Sequence, residues 1–318
     1  MKKLFAAIFI FVFFITLKAE QSEFRIAKQY GLIYLPFIVL EEQKLIEKNA
    51  KEAGLGDIKV SWVTFGGGAN ANDGLLSNSV DVISGGAPPA IILWDKTKGK
   101  VKAIGSLASQ NMALLTTNAR VKTLKDFTEN DKIAVPSVRV STQALLIQIA
   151  AAKEFGIKNY DKFDHLTVAL KHPDALIALT SGKSEITAHF SQEPFTTVEL
   201  ENKNIRQVLS ADEVLEGGLA LNLISATDKF YNENPKLVSI LLKSLEEANA
   251  WINSNKKASA LLYLKATKSK ESADLIYSII NSENIVFSTK LRNVTVFSDF
   301  LHEIGVIKSR PKEEDLFF

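Results

Sequence analysis

Two stretches of this chain repeat one pattern, and the repeat restricts the fold more than any other feature. "DGLLSNSVDVISGG" (73–86) and "DALIALTSGKSEITAHF" (174–190) each run from an acid through a short helical segment to an Asn or Gly stop. A strand with an acid near its start follows in both, so that Asp81 answers to Glu185 and Asn78 to Gly182. Asn and Gly are the residues that accept the left-handed conformation closing a helix. Helix-to-strand units of this kind build α/β layers, and two such runs build two similar lobes with a cleft between them.

Hydrophobic periodicity extends both runs. In the first, strands are predicted over "FRIAKQ" (24–29), "IKVSWVTF" (58–65), "SVDVISGG" (79–86) and "VKAIGSL" (101–107). Helices are predicted over "FIVLEEQKLIEKNAKEAG" (37–54), "ANANDGLLSN" (69–78) and "APPAIILWDKTKG" (87–99), with "GLIYLP" (31–36) as a loop. The second run has strands at "MALLTT" (112–117), "KIAVP" (132–136), "HLTVAL" (165–170) and "SEITAHF" (184–190). Its helices are "STQALLIQIAAAKEFG" (141–156), "HPDALIALTSG" (172–182) and "EPFTTVELEN" (193–202), and from 235 onward the pattern is helical. The expected class is α/β, each lobe a mainly parallel sheet flanked by helices, with a helical C-terminal region.

The N-terminus addresses the compartment. Lys2 and Lys3 precede an apolar run from Leu4 to Leu17, broken only by Thr16, and Ala19 follows. That run has 14 residues, whereas a spanning helix needs about 18 or more. A signal peptide over 1–19 and export to the periplasm are therefore expected. The chain has no cysteine, which excludes a disulfide scaffold and a lipidated N-terminal cysteine. Without Lys2, Lys3 and Lys18, the 38 basic side chains become 35 against 36 acidic ones, a net charge of −1. A nucleic-acid partner would call for a basic excess, so none is expected.

The segments "YLPFIVLEEQKLI", "GGGANANDGLLSNSVDVISGG", "KTLKDFTENDKIAVPSVRVSTQALL" and "HPDALIALTSGKSEITAHFSQEPF" carry a family likeness. Together they resemble the periplasmic substrate-binding proteins of ABC transporters, of the nitrate, sulfonate and taurine type that also contains pyrimidine-precursor binders. The resemblance covers nearly all of the mature chain. It implies a two-lobed, type II periplasmic-binding-protein fold, with 20–111 plus 217–318 as one lobe and 112–216 as the other. "ALLTT" and the stretch near "GGLALNLIS" (217–225) would be the crossings. It further implies a monomer that holds a small ligand without a cofactor and delivers it to a permease in the inner membrane. Where many relatives place an acid followed by small or aromatic residues, this chain has "AHFSQEPF", which puts His189 and Glu193 where selectivity would be set.

In open α/β lobes a ligand sits beyond the carboxyl ends of the strands, which limits the candidates to those loops. Gly67 and Gly86 would let a ligand approach the backbone, or serve only tight turns. Ser141, Thr142 and Gln143 head a long helix, whose free amides and partial positive charge suit an anion; the alternative is a plain N-cap at Ser141. Arg139 would add a planar fork matched to sulfonate or carboxylate, or point to solvent. Tyr34 and Asn70 lie in exit loops of the first lobe, and His172, His189 and Glu193 in those of the second. No "HxxxH" supports a metal pair, and no Gly-x-Ser-x-Gly elbow or cysteine supplies a nucleophile. A binding protein for a small sulfonate-like anion is the expected function. The alternatives are an enzyme or a pyrimidine-precursor binder on the same frame.

Overall fold

Residues 20–216 and 218–318 are described by the structure, a computed structural model. The signal peptide expected over 1–19 lies outside them. The strands in chain order are β1 (Glu23–Lys28), β2 (Lys59–Thr64), β3 (Val82–Gly86), β4 (Val101–Gln110), β5 (Met112–Thr116) and β6 (Ile133–Val135). After them come β7 (Thr167–Ala169), β8 (Ala188–Gln192), β9 (Arg206–Ser210), β10 (Ala220–Thr227) and β11 (Ile285–Phe287). They form two sheets, ordered β11-β4-β10-β3-β1-β2 and β7-β6-β8-β5-β9. The chain passes from the first sheet to the second through Asn111 alone and returns across 211–219.

Both sheets are mixed rather than mainly parallel, which corrects the expectation. β1 runs parallel to β2 and β3, and β6 parallel to β7 and β8. These strands are joined by helical crossovers, the connection that parallel pairing requires. In contrast, β10 is antiparallel to β3 and β4, and β5 is antiparallel to β8 and β9. β4 still runs the same way as β3, to which the helix at Ala87–Lys96 joins it, whereas β5 and β10 follow the passages between sheets and enter against their neighbours.

Seven helices matter for the site: α1 (Leu35–Gln43), α2 (Leu45–Glu52), α3 (Gly68–Leu76), α4 (Ala87–Lys96), α5 (Thr142–Phe155), α6 (His172–Ser181) and α7 (Phe195–Leu200). The single helix expected over 37–54 is two, divided at Lys44 in the left-handed region (φ 52°). The expected loop 31–36 is helical as well, with a 3-10 turn at Leu32–Tyr34 and Pro36 in the first turn of α1, where its missing N–H costs little. Asn78 and Gly182 do adopt the left-handed conformation, at φ 56° and 64°. Further helices at Pro235–Ser254, Lys256–Thr267, Ala273–Ile280 and Thr295–Glu303 follow β10.

One hydrophobic core bridges the sheets. Ala87 and Ile91 of α4 cluster with Leu145 of α5, Leu221 of β10, Phe190 of β8 and Phe297. A second core joins β1 and α1 to the C-terminal helices through Phe24, Phe37, Ile224, Leu241 and Tyr263. These packings aim the carboxyl ends of β1, β3, β6 and β8 at one another.

Candidate functional site

Between those strand ends lies a cavity of about 20 Å³. A space of that size holds about one water molecule. Gln29, Tyr34, Gly68, Gly86, Pro89 and Asn222 line it from the first-sheet side. Met112, Pro136, Ser141, Thr142, Gln143, His172 and Gln192 line it from the second. The two sides touch directly. Gln192 Nε2 donates to the Tyr30 carbonyl at 2.7 Å, and the Leu32 amide donates to the Glu193 carbonyl at 2.8 Å.

Glycine makes this approach possible. A Cβ on Gly86 would stand 1.9 Å from Thr142 Oγ1, and one on Gly67 would stand 2.5 Å from both the Pro136 carbonyl and Ser137 Oγ. Neither glycine has a positive φ, so turn formation does not explain them. Close contact between the two sides does.

The start of α5 serves both purposes considered for it. Ser141 Oγ accepts from the Ala144 amide at 3.3 Å and so caps the helix. Ser141, Thr142 and Gln143 are also buried and line the cavity. The Thr142 and Gln143 amides make no hydrogen bond to the described residues, and the first turn holds no acid. This leaves the positive end of the helix dipole facing the cavity.

Arg139 does not join this site. Its Nε donates to Asp164 Oδ2 at 2.9 Å, and its side chain is 69% exposed. Asp164 also accepts from Gln148 Nε2 at 2.9 Å, so a nearly buried carboxylate captures the guanidinium outside the cavity. Asn70 is likewise absent from the lining and lies exposed on α3. Tyr34 is in place: it is buried, its hydroxyl accepts from Asn222 Nδ2 at 2.9 Å, and burial pushes its phenol pKa up.

Behind the lining runs a chain of buried polar side chains. Gln143 Nε2 lies 3.2 Å from His172 Nε2, and His172 Nδ1 lies 2.8 Å from His189 Nε2. His189 Nδ1 in turn lies 2.6 Å from Glu199 Oε1, with His189 and Glu199 fully buried. Phe195 stacks on His172 with ring centroids 5.6 Å apart. Burial, reinforced by neighbouring His189, holds the His172 pKa well below the usual imidazole range. His189 thus sits one layer behind the cavity. Glu193 is also buried and outside the lining; Thr197 Oγ1 donates to its Oε2 at 2.8 Å, and burial raises its pKa.

Gln29, Gln192, Asn222 and Glu199 were not anticipated. For Glu199 a signal existed, since Thr196 and Glu199 share the buried face of α7 at i, i+3 spacing. Beside the cavity lies a groove of about 720 Å³, lined among others by Tyr30, Ile38, Pro173, Ile177, Phe195 and Tyr263. Among the described residues, no group of three His, Cys, Asp or Glu is placed to hold a metal ion, and no helix is long and apolar enough to cross a membrane.

Comparison with known proteins places this geometry. The model of the NMT1-like family matches residues 18–264. No curated protein sequence matches the chain. Among solved structures, the alkanesulfonate-binding protein SsuA from Xanthomonas axonopodis pv. citri bound to MOPS superposes with a TM-score of 0.76 at 14% identity, over 95% of this chain and 99% of that one. The periplasmic aliphatic sulphonate binding protein SsuA from Escherichia coli gives 0.69 at 19% identity, over 94% and 92%. The periplasmic nitrate-binding protein NrtA from Synechocystis PCC 6803 gives 0.66 at 16% identity, over 91% and 83%. At such identities the likeness is one of fold.

Proposed function

The chain belongs to the NMT1-like family, and from that premise we propose that it is the periplasmic solute-binding component of an ABC importer. In this reading it closes two lobes, 20–111 with 217–318 and 112–216, on a small anion of the sulfonate class. A membrane permease then receives the ligand. The observation that carries the reading is the start of α5. Thr142 and Gln143, whose amides have no partner among the described residues and are backed by the helix dipole, line a cavity between two sheets whose glycines allow contact across it. The sulfonate-binding and nitrate-binding descriptions of the structural neighbours agree with an anion.

The lining favours binding over turnover. Among the described residues no histidine or carboxylate is hydrogen-bonded to the Ser141, Thr142 or Tyr34 hydroxyls that line the cavity; Ser141 Oγ accepts from the Ala144 amide and Tyr34 Oη from Asn222. Export rests on the segment 1–19, and N-terminal sequencing of exported protein reads its cleavage point. The central test is calorimetry of the monomeric protein with ethanesulfonate, taurine, nitrate and a neutral pyrimidine. A sulfonate should bind one per chain. Binding of the pyrimidine alone, or chemical conversion of any of the four, would overturn the proposal.

A further inference from the structure

The polar chain behind Gln143 gives a role to a residue that never touches the cavity. We propose that Glu199, acting through His189 and His172, decides which end of the Gln143 amide faces the ligand, so that an anion binds together with one proton. The inference rests on the reading above that the cavity takes a small anion.

Each imidazole nitrogen of His172 and His189 has a single partner in the contacts described. Two protonation levels, one proton apart, satisfy all of them. In the first, Gln143 Nε2 donates to His172 Nε2, His172 Nδ1–H donates to His189 Nε2, and His189 Nδ1–H donates to the Glu199 carboxylate. Both rings are then neutral, and the Gln143 carbonyl oxygen, which has no partner among the described residues, is left for the cavity. In the second, one more proton is present. It enters at His172 Nε2, the His172 Nδ1 proton passes to His189 Nε2, and His189 becomes an imidazolium held by Glu199. Now His172 Nε2–H needs an acceptor, so the Gln143 amide turns its oxygen inward and its NH₂ toward the cavity. One proton is taken from solvent and none is released.

An anion selects the second arrangement for two reasons. Among the described residues no Lys or Arg lines the cavity, so in the first arrangement the anion would meet a carbonyl oxygen backed by an uncompensated buried carboxylate, whose Oε2 has no hydrogen-bond partner among those residues. In the second, the carboxylate is neutralised by its imidazolium and a donor faces the anion.

The surrounding charges leave this balance to Glu199. Glu193 feels the Glu199 charge, but burial favours its neutral form. Lys171 and Asp174 at the exposed start of α6 pair with each other at 3.4 Å. β5 and β6 carry no titratable side chain, and α5 carries none before Lys153. From the first-sheet side Tyr34 faces the cavity with its hydroxyl engaged by Asn222.

Two measurements on the full mature chain test this. Nitrogen NMR of the histidine rings reads the tautomers directly. Without ligand, His172 and His189 should each carry one proton, on Nδ1; with saturating ethanesulfonate the His172 proton should move to Nε2 and both His189 nitrogens should carry protons, a change lost in Glu199→Gln. Rings that keep the ligand-free pattern in the ethanesulfonate-bound unsubstituted protein overturn the inference, even where Glu199→Gln does not fold. Calorimetry with ethanesulfonate in buffers of different ionisation heat should show uptake of about one proton per ligand, and affinity about tenfold weaker per pH unit on the alkaline side, both lost in Glu199→Gln. Binding without uptake overturns the inference alone and leaves the site's assignment standing. Absence of binding by any anion removes the assignment and this inference together.

Discussion

Gly86 measures how little room the two sides leave each other. Its φ of −58° is open to any residue, so Gly86→Ala should fold with a melting temperature close to the parent's. The added methyl, 1.9 Å from Thr142 Oγ1, should nevertheless hold the sides apart. We expect calorimetry to show at least about tenfold weaker ligand binding, with partial recovery when Thr142→Ala is added. Arg139 predicts the opposite outcome. Its guanidinium is largely exposed, and the nearly buried Asp164 keeps Gln148 Nε2 as a donor, so Arg139→Ala should cost about 1–2 kcal/mol in urea unfolding and leave affinity nearly unchanged. His172 adds a pH signature. Because its folded pKa is depressed, the unfolded chain binds the proton first as pH falls through about 6.5. The ligand-free protein should therefore lose stability below that pH, and His172→Gln should flatten the slope in pH-dependent denaturation. At this scale residue type was readable and pairing was not. Gly86 and Arg139 stood out equally as candidates, but Asp164, which claims Arg139, is 25 positions away and arrives only through folding.

For the elements, periodicity found the long and amphipathic ones. It placed the start of α5 at Ser141, and the cap confirms that boundary. It missed β9 and β11, two edge strands of 5 and 3 residues whose pairing partners lie far off in sequence. Strand direction was also illegible, since β5 and β10 owe theirs to the passages between sheets rather than to their own residues. The helix start yields a prediction at this scale because Ser141 does two jobs. Ser141→Ala should cost about 1 kcal/mol of folding stability through the lost cap and should also weaken binding. Thr142→Ala removes a lining hydroxyl without touching the cap, so it should weaken binding with little change in unfolding. Equal stability losses in the two variants would contradict this division of labour.

Across the whole molecule, the cavity of about 20 Å³ is the controlling quantity. An alkanesulfonate is several times larger than a water molecule, so it can enter only if the two sides separate. The polar contacts between the two sides include Gln192 to Tyr30 at 2.7 Å, Leu32 to Glu193 at 2.8 Å, Ala69 to Ser137 at 3.4 Å and Lys171 Nζ over the Tyr30 ring at 5.8 Å, with Gln110 to Gln192 at 2.9 Å beside the passage between sheets. At about 0.5–1.5 kcal/mol net for each hydrogen bond, opening costs a few kcal/mol, a gap across which a ligand can shift populations. The bridging core through α4 and α5 limits how far the sides can part. Asn111, the lone residue between β4 and β5, ties the outgoing passage to the returning one by donating to Asp212 Oδ1 at 3.0 Å and accepting from the Asp212 amide at 3.2 Å. That clip makes Asn111 the natural pivot. Because the chain has no cysteine, Lys48→Cys on α2 and Lys158→Cys after α5 can carry spin labels without background. Distance distributions should include a separated population in the ligand-free protein and collapse to one shorter distance with saturating ethanesulfonate. Gln192→Ala, which removes a contact across the cavity, should enlarge the separated population. Identical distributions with and without ethanesulfonate, in samples where calorimetry reports binding, would rule out opening as the route of entry.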